Sequence, residues 1–396
     1  MGDLFWEWIN LVLRWMHLIF GIAWIGSSFF FVWLDNSLRS NNKEGVLGET
    51  WMLHGGGFYF TEKYSVAPPH MPAELHWFKY ESYFTWLSGF FLMAVLYYLG
   101  ADLYMIDEKV MHLGRAEAIG FSLVSLAMGW IVYDLLCRSP LGKNTAVLAI
   151  CGFVLLVGAA YGYTHLFSAR AAYVHVGALI GTIMTANVFF VIIPNQRFTV
   201  DDMLAGRTPD PIWGKQAKQR SLHNNYLTLP VLFAMISNHY PVTYGHPYGW
   251  GILAGVFIVG FLVRHFFNLK NQGHGMQFRY LVAAFLVMTG LFFFSQWDPH
   301  KAARAALAGE VTVEDVQAIV AARCVACHAG KPTFDGITEA PKGVMLETPQ
   351  QMRRFAASIN QQAVRAEAMP PGNVTEITPE ERAKLGAWIE GGAKLN

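Results

Sequence analysis

The chain has 396 residues, of which 54% are apolar and 15% aromatic, with a formal net charge of +1. That apolar load is too high for an ordinary soluble enzyme, and the near-neutral balance gives no basis for nucleic-acid binding. Four cysteines do not make a disulfide framework: Cys137 and Cys151 fall in apolar segments, where cysteine is commonly a small buried side chain. Beyond residue 300 the only aromatic residues are Phe334, Phe355 and Trp388. The chain therefore divides into an aromatic, apolar part (1–298), a linker (299–310) and a small Ala/Gly/Glu-rich unit (311–396).

Eight segments are apolar over roughly 20 residues or more, the length that crosses about 30 Å of hydrocarbon. They lie near 4–34, 78–100, 117–136, 145–164, 167–193, 221–240, 248–268 and 278–297. Backbone groups in lipid must bond within their own segment or in a closed barrel, so helices are expected. The sequence thus predicts an all-α fold, a polytopic membrane bundle of about eight spans followed by a small all-α domain. The first segment is too long for the core of a signal peptide, and no small-residue cleavage site follows, so it is expected to stay as a span. Within it, His17 is followed by Gly21, Trp24 and Ser28 at helical spacing, a face with room for a flat ligand.

The connection 35–79 is long. It holds His54-Gly55-Gly56-Gly57-Phe58-Tyr59, then Pro68-Pro69-His70-Met71-Pro72, then Glu74, His76 and Trp77. Glycines permit close backbone approach to a ligand, His and Glu move protons, and aromatic rings stack on planar ones. A long connection without secondary structure of its own is expected to be functional, the alternative being a linker or docking loop. The fourth and fifth spans are separated only around His165 and Ser168, which predicts a tight helical hairpin. His175 in the fifth span and His17 in the first enter from the same side, each about 10 Å deep at 1.5 Å rise per residue. Equal depth is what a bis-histidine haem b requires; the alternative is that each ring bonds a helix carbonyl or a water. His223, Asn224 and Asn225 cluster at the inner end of the sixth span. Together with His54, His70, Glu74 and His76 they are the candidate catalytic residues. The alternative site is the outer end, near Asn238, His239 and the Gly245–Gly251 loop.

Lys and Arg concentrate in the loops 35–79, 137–144, 194–220 and 264–279, whereas the intervening loops hold only Lys109, Arg115 and Arg170. By the positive-inside rule the rich loops are cytoplasmic, and an even number of spans then puts both termini outside. The string Cys324-Val325-Ala326-Cys327-His328 agrees. C-x-x-C-H is the haem c attachment signature: two thioethers hold the porphyrin and His328 is the fifth ligand. Such attachment takes place on the periplasmic face of the bacterial inner membrane. Val313–Arg323 reads as a helix leading into the motif. No other histidine follows His328. Of Met345, Met352 and Met369, the last is favoured as sixth ligand because Pro370 and Pro371 stiffen its loop. His/Met ligation raises the haem potential. Thr378-Pro379-Glu380-Glu381 opens a final helix. A zinc knuckle is the alternative reading, but the tail offers no second ligand pair.

Taken together, the eight spans, Trp15-Met16-His17, the His54–Tyr59 stretch, Ile193-Pro194-Asn195-Gln196 and the C-x-x-C-H tail resemble the membrane-bound bacterial urate oxidases of the PuuD type. The first helix is also weakly similar to that of membrane protoporphyrinogen oxidases. The resemblance implies oxidation of urate to 5-hydroxyisourate in the inner membrane. It implies that electrons leave through the chain's own haem c to a soluble cytochrome c or a terminal oxidase. Two other classes stay open on the residues alone: a non-catalytic, membrane-anchored cytochrome c module, and a dehydrogenase for another small substrate.

Overall fold

The structure, a computed structural model, describes residues 2–307 and 311–395. Helices occupy all eight expected places: α1 (Gly2–Ser37), α2 (Tyr80–Met93), α3 (Arg115–Arg138), α4 (Thr145–Thr164), α5 (Ala169–Ala186), α6 (Pro211–Ile236), α7 (Gly249–Asn271) and α8 (Arg279–Gln296). Six are long and apolar enough to cross a membrane; α2 and α6 are not among them. Helix α2 has 14 regular residues before a wider π turn, Ala94–Tyr98, interrupts it. Helix α6 carries Lys215, Lys218, Arg220, His223, Asn224 and Asn225 between its start and its middle. A second π turn, Asn187–Ile192, carries α5 on into Ile193–Leu204.

Helix α5 is the axis of the bundle. Tyr173, His175, Val176, Ile180 and Met184 on it are sealed from solvent. The outer helices instead turn large apolar side chains outward. On α8 only Ala284 is buried, while Phe285 and Phe293 stand 69% and 66% exposed. Exposed apolar surface on that scale is what acyl chains would cover. Polar caps set the boundaries. Asn144 accepts from Ala146 N and Val147 N at the start of α4, and Ser168 accepts from Ala171 N at the start of α5. Asp210 before Pro211 starts α6 in the same way. The expected α4–α5 hairpin forms, with His165–Ser168 as its turn.

One expectation is corrected. The connection 35–79 is not without secondary structure, and the chain is not wholly α. Strands β1 (Val46–His54) and β2 (Gly57–Tyr64) pair antiparallel, with His54 opposite Gly57 and Trp51 opposite Phe60. Gly55 and Gly56 form the two-residue turn with φ of +59° and +82°. Left-handed conformation at both positions is what a tight hairpin demands, so these glycines serve the turn.

The ends of the bundle are distinct. At one, Gln272 bonds Asn36 (3.2 Å) and Gln219 bonds the Gly142 carbonyl (2.9 Å). At the other, Ser168 N bonds Met105 O (2.9 Å), Tyr173 bonds Gly249 O (2.6 Å), and Trp6 near the N-terminus borders Val95 and Leu99. The C-terminal unit sits on this second end, the one the sequence assigns to the outside. Lys109 pairs with Glu367 (2.7 Å), Arg365 bonds Ser295 O (3.0 Å), Gly245 lies against Ala366 and Gly372 against Asp102. The first part of the expected linker is helical, α9 (Lys301–Leu307), and its Arg304 pairs with Asp298 and Glu390. Residues 308–310 of that linker lie outside the described residues.

The C-terminal unit has its own apolar cluster, centred on Val316, Val320, Met352, Ile377, Leu385 and Trp388. Around it stand α10 (Val313–Arg323), α11 (Pro349–Arg354) and α12 (Pro379–Glu390). Helix α10 begins with a capping box in which the Asp315 carboxylate accepts from Thr312 N (3.0 Å) and Thr312 Oγ1 (2.9 Å). Those bonds hold the Asp315 carboxyl below its ordinary value of 3.8. A depressed folded-state value means the contribution is complete above pH 3.8 and lost as pH falls through the lower folded value. Acid titration followed by circular dichroism should therefore show the wild-type tail losing this contribution only below pH 3.8, and Asp315→Asn should remove that limb.

Candidate functional site

The C-x-x-C-H string lies in the turn that ends α10. Cys327 N and His328 N both donate to Cys324 O, at 3.2 and 2.9 Å, so one tight turn carries both thiols and the imidazole. The two cysteines are not bonded to each other. Burial pushes the Cys324 thiol up to about 11 and the Cys327 thiol in the same direction. His328 Nδ1 donates to Val344 O (2.9 Å) and Leu346 N donates to His328 O (2.9 Å), which fixes the ring. A carbonyl partner on Nδ1 orients the ring and leaves Nε2 free, as a histidine that holds a metal through Nε2 requires. Met352 is fully buried in the core and cannot reach a ligand, whereas Met369 is only half-buried at the edge of that core. The Met369 loop is held by Arg382, which donates to Met369 O (2.8 Å) and to Ala363 O. These residues fit a covalent haem c.

Inside the bundle the structure gathers polar groups around α6, at the end away from the tail. On one flank Tyr133 bonds His223 Nδ1 (2.7 Å), and Asn187 donates to Tyr133 (3.1 Å) and to Asn224 Oδ1 (2.8 Å). Asn224 in turn donates to Met184 O (3.0 Å). The π turn starting at Asn187 is what brings this side chain inward. Arg220, buried on α6 itself, is balanced by Asp134 (2.7 Å). On the other flank Asn268 donates to Asn225 Oδ1 (3.0 Å), Tyr226 bonds His265 Nδ1 (2.8 Å), and Arg264 lies 4.1 Å from the centre of the Phe29 ring.

The sequence-derived candidates divide accordingly. His223, Asn224 and Asn225 do belong to a buried polar layer. His54, His70, Glu74 and His76 stand exposed, with no hydrogen bond among the described residues to each other or to that layer. His17 Nδ1 bonds Thr85 O (2.9 Å), and on the face expected to have room for a flat ligand a Cβ added at Gly21 would meet only Thr85 of α2, at 4.0 Å. Gly89 lets α2 come in: a Cβ there would lie 2.7 Å from the His17 ring. His175 has both nitrogens engaged, Nδ1 with Ala171 O (2.8 Å) and Nε2 with Ser122 Oγ (2.9 Å), and its ring packs on Phe167 (4.5 Å). His175 is thus committed to protein partners through both nitrogens, whereas His17 is held through Nδ1 alone and its Nε2 has no hydrogen bond among the described residues, so only His175 would have to give up a partner to hold a haem b. At the alternative outer site His239 is exposed, and Gly245 is covered by the tail.

Sequence reading missed Tyr133, Asn187, Arg264 and Asn268. Arg264 carried a usable signal: it lies inside the apolar stretch 248–268, where an ionisable residue is costly. Two open depressions on the surface, one lined by Val66, Pro68, Met203 and Arg207 and the other by Trp6, Val95 and Leu99, contain none of these groups.

No curated protein and no solved structure matches the chain. The family model described as urate oxidase N-terminal matches residues 3–296, from the first turn of α1 to the last residue of α8. The match takes in every buried polar group of the bundle and stops before the C-terminal unit. The chain belongs to the urate oxidase N-terminal family.

Proposed function

We propose that the protein is a membrane urate oxidase that delivers electrons to its own C-terminal haem c, in the bacterial inner membrane with both termini periplasmic. The observation that carries the reading is the family match over the whole bundle, joined in one chain to a C-x-x-C-H turn whose imidazole has Nε2 free. The chemistry balances as urate plus water giving 5-hydroxyisourate, two protons and two electrons. The inner polar layer at His223, Asn224 and Asn225 is where the substrate is held and the water deprotonated. Haem c, bound at Cys324, Cys327 and His328 with Met369 as sixth ligand, would supply single-electron acceptance and onward transfer to a soluble cytochrome c or terminal oxidase. Aromatic side chains lie between the two regions. Trp86 stacks on Phe90 (5.3 Å), Phe90 meets Tyr98 (6.3 Å), and Tyr173 meets Tyr244 (6.1 Å) beside the Gly245–Ala366 contact.

Purified protein kept free of oxygen is expected to show its c-type absorption band reduced on adding urate and unchanged on adding quinol. Reduction by quinol alone would favour a non-catalytic electron-transfer module. Hydrogen peroxide release in air, with the band left oxidised, would mean that urate is oxidised directly by dioxygen.

A further inference from the structure

Two arginines are buried in the inner half of the bundle, and they differ in one respect. Arg220 is 3% exposed and paired with Asp134. Arg264 is 7% exposed and, among the described residues, has no ion pair and no hydrogen bond; its Nε is one of the orphaned buried atoms. A guanidinium cannot shed its proton, so a buried one without a counter-charge is strongly unfavourable until an anion arrives.

The neighbours of Arg264 are unsatisfied in a matching way. Asn268 lies one helical turn away on the same face of α7. It bonds Asn225 of α6, and that bond leaves Asn225 Nδ2 and Asn268 Oδ1 without partners. Exchanging oxygen and nitrogen in both amides still leaves one donor and one acceptor, so the pattern does not depend on how the amides are oriented. Phe29 of α1 lies flat under the guanidinium. The site thus presents a fork of cationic donors, one neutral donor, one acceptor and an aromatic wall.

We propose that Arg264, Asn225 and Asn268 bind urate as its monoanion, an inference that rests on the urate reading above. Urate is planar, carries its charge over adjacent ring nitrogen and carbonyl oxygen atoms, and offers both carbonyl acceptors and N–H donors. The guanidinium takes the charged edge in a bidentate contact. Asn225 donates to a carbonyl and Asn268 accepts a ring N–H. The opposite flank, Tyr133–His223, stays available for moving protons.

The test is equilibrium dialysis of radiolabelled urate with the full chain, anaerobic and reduced by dithionite so that no turnover occurs. Arg264→Gln is expected to weaken binding on the order of 100-fold. Asn268→Asp is the sharper variant, because it gives Arg264 a carboxylate of its own. It should melt no lower than wild type and lose urate binding to a similar degree, whereas a purely structural role predicts better stability with binding intact. Hypoxanthine, a neutral purine, should bind far more weakly than urate to wild type. If both variants bind urate within about 3-fold of wild type, the anion site is wrong while the urate reading stands. Wild-type protein that binds no urate overturns that reading and this inference with it.

Discussion

Full-length protein with Cys324 and Cys327 both replaced by Ser is expected to lose all covalent pigment and to bring urate-driven electron delivery down to background, while still binding urate. Urate binding should persist because, among the described residues, no hydrogen bond or ion pair joins the tail to the polar layer around α6. The tail packs on the opposite end, through Lys109–Glu367, Arg365–Ser295 and the Gly245–Ala366 contact. The fold of the tail should also survive the exchange, since its apolar cluster is built from Val316, Val320, Leu385 and Trp388, with Cys324 only at its edge. The checks are haem-stained gels for the covalent group, dialysis for urate, and an acceptor-reduction assay for turnover. Retained turnover to a cytochrome acceptor in the double variant would mean that electrons leave by another route.

How far these features were legible depended on the kind of signal. Helix starts were written locally: Asn144, Ser168, Asp210, Thr312 and Thr378 each cap a helix with their own side chain. The tail motif was legible because its geometry is contained in five consecutive residues. The hairpin at 46–64 was missed although Gly55-Gly56 between aromatic, β-branched runs is a strong turn signal, because the same glycines also suited a ligand-binding loop. The buried layer was only half legible. His223–Asn225 are adjacent on one helix, but Asn187 turns inward through a π turn that helical periodicity does not foresee. Arg264 meets Phe29 and its helix neighbour Asn268 meets Asn225, across three helices far apart in sequence, and tertiary convergence of that kind leaves no local pattern. The His17/His175 pairing shows the limit of depth as a signal. Equal depth in two spans says nothing about which face each ring takes: Ser122 and Ala171 occupy both nitrogens of His175, while Thr85 holds only Nδ1 of His17.

The second large effect is expected at Arg382. Replacing it with Met should lower tail stability by about 3 kcal/mol, because three charged hydrogen bonds in a buried setting are lost and the Ala363 and Met369 carbonyls lose their Arg382 donor. Arg382 is 3% exposed. It donates to Ala363 O, to Met369 O (2.8 Å) and to Asn373 Oδ1 (3.4 Å), with Glu367 at 3.5 Å. Burial holds its proton affinity below the usual arginine range, yet the group stays charged at any pH the protein meets. The consequence reaches further than stability. The segment 363–373 is gripped by Arg382 from within the tail and by Asp102, Lys109 and Gly245 from the bundle. One clamp thus fixes both the Met369 loop and the seam between the two parts. Arg382→Met should therefore lower the unfolding midpoint of the tail and weaken the optical signature of methionine ligation together, with covalent haem still attached through Cys324 and Cys327. Arg382→Lys, which keeps the charge and loses the fork, should fall between. A variant that melts lower while its methionine signature is unchanged would show that Arg382 supports the fold without positioning Met369.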